Sequence, residues 1–138
     1  EVCGLKDGGC YQAFQGGFIN WSPNTGAQPS TFGRIRDLWA SLGYESGFLG
    51  YPASAVICGL KDGGCYQAFQ GGFINWSPNT GAQPSPNGGI RNRWASMGYE
   101  SGPMGYPRSG EIRSGNNVYQ RFQGGEIWWA PNGQTWTR

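Results

Sequence analysis

The segment CYQAFQGGFINWSP at residues 10–23 returns unchanged at 65–78 and in altered form, VYQRFQGGEIWWAP, at 118–131. Aligned on the Tyr-Gln pair, Tyr11, Tyr66 and Tyr119 stand 55 and 53 residues apart, at the long end of the periods seen in propeller blades and solenoid units. Residues 3–30 and 58–85 are identical, 31–54 and 86–109 diverge mildly, and the third copy reaches Arg138 before any helix of its own. A unit this small cannot enclose a core, so neighbouring units must share one. The expected fold class is an α+β repeat protein, with tandem β-hairpin plus short helix units sharing one core in a propeller-like or arc-shaped array. The whole chain forms a single array, with unit boundaries at 1–52, 53–107 and a truncated 108–138.

Each unit reads as a hairpin and then a helix. Two aromatic-rich runs flank Gly16-Gly17, a pair that tolerates the positive φ of a tight turn. That turn predicts Phe14 opposite Ile19 and Gln12 opposite Trp21. Alternation then places Gln12, Phe14, Ile19 and Trp21 on one face and Tyr11, Ala13, Phe18 and Asn20 on the other. The first face keeps its residues in all three copies. The second varies, with Phe18 and Phe73 answered by Glu126 and Asn20 and Asn75 by Trp128, so the first face is expected to be core and the second wet.

In FGRIRDLWASLG, Ile35, Leu38, Trp39 and Leu42 recur at i, i+3, i+4 and i+7, the spacing of one apolar helical stripe. Ser30 or Thr31 is placed to cap its start and Gly43 to end it. The second copy keeps Ile90, Trp94 and Met97 but puts Arg93 where Leu38 stands. Turn-rich GFLGYP and GPMGYP follow, and their Tyr51 and Tyr106 are expected to pack ahead of the next hairpin.

Cys3 and Cys10 bracket GLKDGG, and Cys58 and Cys65 bracket the same loop. In the third copy both cysteines disappear together, replaced by Arg113 and Val118. Joint loss predicts disulfides within units, Cys3–Cys10 and Cys58–Cys65, and therefore a mature, exported product. A four-cysteine zinc site needs short Cys-x2–4-Cys knuckles, which the sequence lacks. No metal and no cofactor are expected. A formal charge of +2 is too weak to steer a polyanion, which argues against a nucleic-acid partner, and no apolar run approaches the roughly 20 residues that insert into a membrane.

The chain has no histidine, which removes Ser-His-Asp, Cys-His and His-metal chemistry. Its acids are Glu1, Asp7, Asp37, Glu45, Asp62, Glu100, Glu111 and Glu126, and only Glu45 and Glu100 recur at an element junction beside a tyrosine. One acid per unit is not the carboxylate pair of a glycosidase, so no catalytic residue is expected. Repeated Trp, Tyr, Gln, Asn and Arg on a rigid scaffold suit sugars instead. Ring faces stack on C–H faces, planar polar groups meet hydroxyls at small entropic cost, and repetition adds avidity on a polymer.

The combination of GFLGYP and GPMGYP with YQxFQGGxIxWxP and the helix IRxxWAxxG resembles the LGFP repeat family over nearly the whole chain. That resemblance implies a non-catalytic module of exported proteins, associated with the cell wall and bound to its polysaccharide. The paired cysteines depart from the family motif. The expected partner is a cell-wall polysaccharide or amino sugar, with peptidoglycan favoured and Arg34, Arg36 or Arg91 available to a carboxylate-bearing sugar such as muramic acid. Ligand-binding candidates at the first junction between units are Tyr11, Gln12, Trp21, Tyr44, Glu45 and Tyr51. At the second they are Tyr66, Gln67, Trp76, Tyr99, Glu100 and Tyr106. Exposed Phe18 and Phe73 are alternative contacts. The alternative function is a protein-interaction or self-assembly module, a homo-oligomer formed through exposed aromatics and open repeat ends.

Overall fold

The computed structural model describes all 138 residues. The first unit is an antiparallel sheet of β1 (Val2–Cys3), β2 (Cys10–Phe14), β3 (Gly17–Ser22) and β4 (Gly26–Thr31), followed by helix α1 (Arg34–Ser41). The second repeats it with β5 (Ile57–Cys58), β6 (Cys65–Phe69), β7 (Gly72–Ser77), β8 (Gly81–Pro86) and α2 (Gly89–Ser96). The third is a sheet alone: β9 (Pro107–Ser114), β10 (Asn117–Phe122), β11 (Gly125–Trp129) and β12 (Thr135–Thr137). The molecule is thus a mostly β tandem repeat of three separate four-stranded sheets, rather than a defined propeller or arc of hairpins.

The additional strand β4 contains Pro29 opposite Ile19, and β4 lies at the sheet edge, where a missing N–H breaks no ladder. The hairpin register also differs from the expected one. Phe14 pairs with Gly17, Gln12 with Ile19 and Tyr11 with Asn20, so Gln15-Gly16 form the turn. The shift is two residues, so every side chain stays on its expected face. Gly17 opens β3 opposite Phe14 and Thr31, a place only glycine fits, since a Cβ there would lie 2.4 Å from the Ser30 carbonyl oxygen. Helix α1 begins after Gly33 with no side-chain cap from Ser30 or Thr31, and Gly43 follows it in the left-handed region. The disulfides Cys3–Cys10 and Cys58–Cys65 form, each joining neighbouring strands with Cα atoms 4.1 Å apart.

The core lies between units. Ile35 and Trp39 of α1, with Leu49, pack on Phe69 and Ile74 of the next sheet. Ile90, Trp94 and Met104 do the same with Phe122 and Ile127. Tyr51 fastens the junction. Its hydroxyl donates to the Lys6 carbonyl within unit one, its N–H donates to Gln70 Oε1 of unit two at 2.9 Å, and its carbonyl accepts from Gln70 N–H at 3.0 Å. Tyr106 repeats this with Lys61 and Gln123. The phenol runs so close beneath Gly9 that a Cβ there would lie 2.0 Å from its oxygen.

Identical hairpins in unequal surroundings make the shared core testable. Phe69 is 5% exposed and Phe14 51%. Phe69→Ala is expected to cost about 3–5 kcal/mol, the range for emptying a buried aromatic site, and Phe14→Ala within about 0.5 kcal/mol, both measured by urea unfolding. Burial raises the Tyr51 and Tyr106 phenols above their ordinary pKa of 10.0, with Glu45 and Asp7, or Glu100 and Asp62, adding to it. Their contribution to stability is therefore full below the unfolded-state value and is lost as pH rises through the folded one. Tyr51→Phe, Tyr106→Phe protein should show a shallower loss of stability above about pH 10 in unfolding curves taken across that range.

Candidate functional site

Strand alternation turns Tyr11, Phe18 and Asn20 away from the shared core, toward their own unit's helix. There they meet Arg36 from α1, Tyr44 and Glu45 from the 3-10 turn Tyr44–Ser46, and Leu5 from the disulfide loop, around a cavity of about 240 Å³. The second unit builds its counterpart from Leu60, Tyr66, Phe73, Asn75, Arg91, Tyr99 and Glu100, about 320 Å³. The first falls just below, and the second at the lower end of, the roughly 300–1,000 Å³ typical of ligand pockets. The face expected to be wet is thus partly roofed, and Phe18 and Phe73 are half-buried.

A guanidinium lies over an aromatic ring in each wall. Arg36 sits 4.0 Å from the Phe18 ring centroid and 5.6 Å from those of Trp39 and Tyr44, and donates to Ser30 Oγ at 2.6 Å. Arg91 sits 3.6 Å from the Phe73 centroid and donates to Ser85 Oγ at 2.8 Å. Burial lowers the pKa of both, opposed by nearby Tyr44 and Asp37 for Arg36 and by Tyr99, Tyr66 and Glu100 for Arg91. Both stay cationic at neutral pH. Neither has a carboxylate partner, the molecule's salt bridge being Arg121–Glu126 at 3.8 Å.

Asn20 and Asn75 are each 4% exposed, and the Oδ1 of each is buried without a hydrogen-bond partner. An unsatisfied acceptor of that kind costs about 1–3 kcal/mol, and here it occurs at the same pocket position twice. Tyr44 and Tyr99 hold φ at 54°, left-handed backbone that is costly for a side-chain-bearing residue and collects at functional sites. Each ring packs edge-to-face with the helix indole, Trp39 or Trp94, with centroids 5.3 Å apart.

The pockets bring together Tyr11, Tyr44 and Glu45, and Tyr66, Tyr99 and Glu100, of the residues singled out from sequence. Phe18 and Arg36, and Phe73 and Arg91, also named from the sequence, line the same pockets, and the other junction candidates lie elsewhere. Gln12 and Trp21 occupy the opposite face of the sheet and are exposed. Gln67 is buried and donates to the carbonyls of Pro29 and Ser54 at 3.1 and 2.8 Å, while Trp76 packs against the core. Tyr51 and Tyr106 are interior fasteners at 0% and 1% exposure. These pockets therefore form within a unit, not at its junction.

Grooves do exist at the junctions, but their linings diverge: Phe32, Arg34 and Val56 beside Trp76 are answered by Asn87, Gly89 and Glu111 beside Trp129. Asn20, Asn75, Leu5 and Leu60 were not among the expected contacts. Arg36, Tyr44 and Glu45 recur as Arg91, Tyr99 and Glu100 while Asp37, Leu38 and Phe48 become Asn92, Arg93 and Pro103, but core residues such as Trp39 and Tyr51 recur with them, so recurrence alone does not separate pocket from core. In unit three Trp128 takes the asparagine position and stacks between Tyr119 and Trp136, with centroids 4.5 and 6.1 Å away.

Sheets of one pattern, a helix after each of the first two, and one pocket in each helix-bearing unit define a tandem-repeat, mostly β protein. The LGFP repeat family model matches three times, at residues 1–47, 49–102 and 104–137, and the chain belongs to that family. No curated protein matches it.

Replacing the unpaired amide by an apolar group of similar size removes a desolvated acceptor without opening a cavity. Asn20→Leu and Asn75→Leu are therefore expected to leave thermal stability unchanged or to raise it. A drop of more than about 1 kcal/mol, the typical net worth of a hydrogen bond, would show that the oxygen is already satisfied.

Proposed function

We propose that this protein is a non-catalytic carbohydrate-binding module that recognises a bacterial cell-wall glycan of the peptidoglycan type through its two equivalent pockets. The observation that carries the reading is the recurrence of one pocket in both complete units, with an unpaired cation, an unpartnered amide and aromatic walls in each. Tyr11, Phe18 and Tyr44 supply ring faces and edges for the C–H surface of a sugar. Asn20 and Glu45 supply hydrogen-bonding groups for hydroxyl or acetamido N–H donors. The Arg36 guanidinium answers a carboxylate such as that of muramic acid. Each pocket holds one carboxylate and no histidine, which suits binding rather than bond cleavage. The paired cysteines suit an extracellular, cell-wall-associated location, and no helix is long and apolar enough to cross a membrane.

The test is a pull-down on insoluble peptidoglycan, chitin and cellulose with competition by soluble amino sugars. Binding is expected on peptidoglycan and is expected to be released by the competitor. Loss of a hydrogen bond to a charged group costs about 1.5–3 kcal/mol, so Arg36→Lys, Arg91→Lys protein, which loses the flat fork, should bind roughly ten- to a hundred-fold more weakly. Titration with a soluble fragment should give two sites per chain, and one in either single variant. Absence of binding to all three polysaccharides would overturn the reading.

A further inference from the structure

The apolar face of the first sheet is open, although its sequence is that of a face buried elsewhere in the same molecule. Residues 3–30 and 58–85 are identical, yet Phe14 and Ile19 are 51% and 40% exposed where Phe69 and Ile74 are 5% and 0%. Trp21, at 41%, continues the patch. The difference is what lies on top. On the second sheet sit Ile35 and Trp39 of α1 and then Leu49.

The cover is also held by directed hydrogen bonds. Gly71 N–H donates to the Leu49 carbonyl at 2.8 Å, Gln70 N–H to the Tyr51 carbonyl at 3.0 Å, and Ala53 N–H to the Ala68 carbonyl at 2.8 Å. Gln67 Nε2 reaches the Ser54 carbonyl at 2.8 Å. The third sheet receives α2 in the same way, with Gly124 N–H on the Met104 carbonyl at 2.9 Å and Gln123 N–H on the Tyr106 carbonyl at 3.0 Å. The matching groups of the first sheet, the N–H groups of Gln15 and Gly16 and the Gln12 side chain, make no such bonds.

We infer that the open face of β2 and β3 is a docking surface for the helix and Leu-Gly-Tyr-Pro segment of a further LGFP unit placed directly ahead of it in the same polypeptide. The register is the one α1 and residues 49–53 adopt on the second sheet. Both filled faces take their cover from the unit immediately before them, and the open face offers the same side chains and the same backbone groups. This surface is on the opposite side of the sheet from the pocket, and its test does not depend on glycan binding.

The experiment joins a copy of residues 31–55 to the N-terminus of the full chain, which reproduces the spacing between α1 and Cys58. An eight-residue helix is marginal in water by itself, so a gain in helical circular dichroism reports docking. The expected result is that gain, together with a rise in melting temperature and reduced quenching of tryptophan fluorescence by acrylamide relative to an extension of scrambled sequence. Phe14→Ala should then weaken folding by at least a hundred-fold in the extended chain, the scale of a buried aromatic deletion, and by less than three-fold in the unextended one. An extension that stays unstructured, with Phe14→Ala equally mild in both chains, overturns the proposal. So does light scattering that shows the unextended chain forming a dimer in which Phe14→Ala already costs a hundred-fold.

Discussion

Each helix carries one indole on which both sides of the structure depend. Trp39 and Trp94 are 1% and 0% exposed, and each donates its Nε1–H to a carbonyl of the following turn, Gly50 or Gly105, at 2.9 Å. One side of the ring packs on the next unit's core, with Phe69 or Phe122 at 5.7 and 5.5 Å between centroids. Its edge-to-face contact with Tyr44 or Tyr99 and the arginine one helical turn before it form a wall of the pocket. The hydrogen bond removes the cost of burying the indole N–H and fixes the Gly-Tyr-Pro turn that in turn fastens to the next hairpin. Core and pocket are two faces of one short helix.

Much of this organisation was legible in the sequence. The repeat predicted a core shared between units, the joint replacement of cysteines predicted the bridges, and the i, i+3, i+4 stripe predicted the buried side of α1. Face assignment survived a wrong turn because the register error was two residues, and alternation has period two. What the sequence hid was which surface covers each face. A strand through Pro29 reads as a loop until the sheet edge is known, and Gly17 reads as a turn residue until its neighbour Ser30 is in place. Tyr51 looks like a binding residue from its position beside a turn. It proves to be interior because its hydroxyl reaches a carbonyl 45 residues earlier, a contact that no local pattern encodes. The pocket residues were half legible for a related reason: Asn20 sits on a face whose variation in unit three suggested solvent, and there Trp128 in its place stacks on Tyr119 and bonds Glu126 instead of lining a pocket.

The outer face of the third sheet is built differently. It lays Tyr119, Trp128 and Trp136 side by side across three strands, with Arg138 4.2 Å from the Trp128 ring centroid. Trp128 donates to Glu126 Oε1 at 2.9 Å, and Arg121 pairs with the same carboxylate. The Phe and Asn of the pocket have become a Glu and a Trp that hold one another, so aromatic stacking covers the surface that the helix covers in the other two units.

Helix α1 belongs both to the wall of one pocket and to the cover of the next sheet, so binding at the pocket, on the reading proposed above, would reach the boundary through that helix. A ligand that ordered Arg36 and Tyr44 would act on Trp39, which touches Tyr44 on one side and Phe69 on the other, and any such coupling would be reciprocal in free energy. A chain of such units is then a one-dimensional array in which nearest-neighbour terms run through the helices. Occupancy of one site would stiffen the boundary that follows it, so a polymeric partner would act on the mechanical continuity of the array as well as on its separate sites.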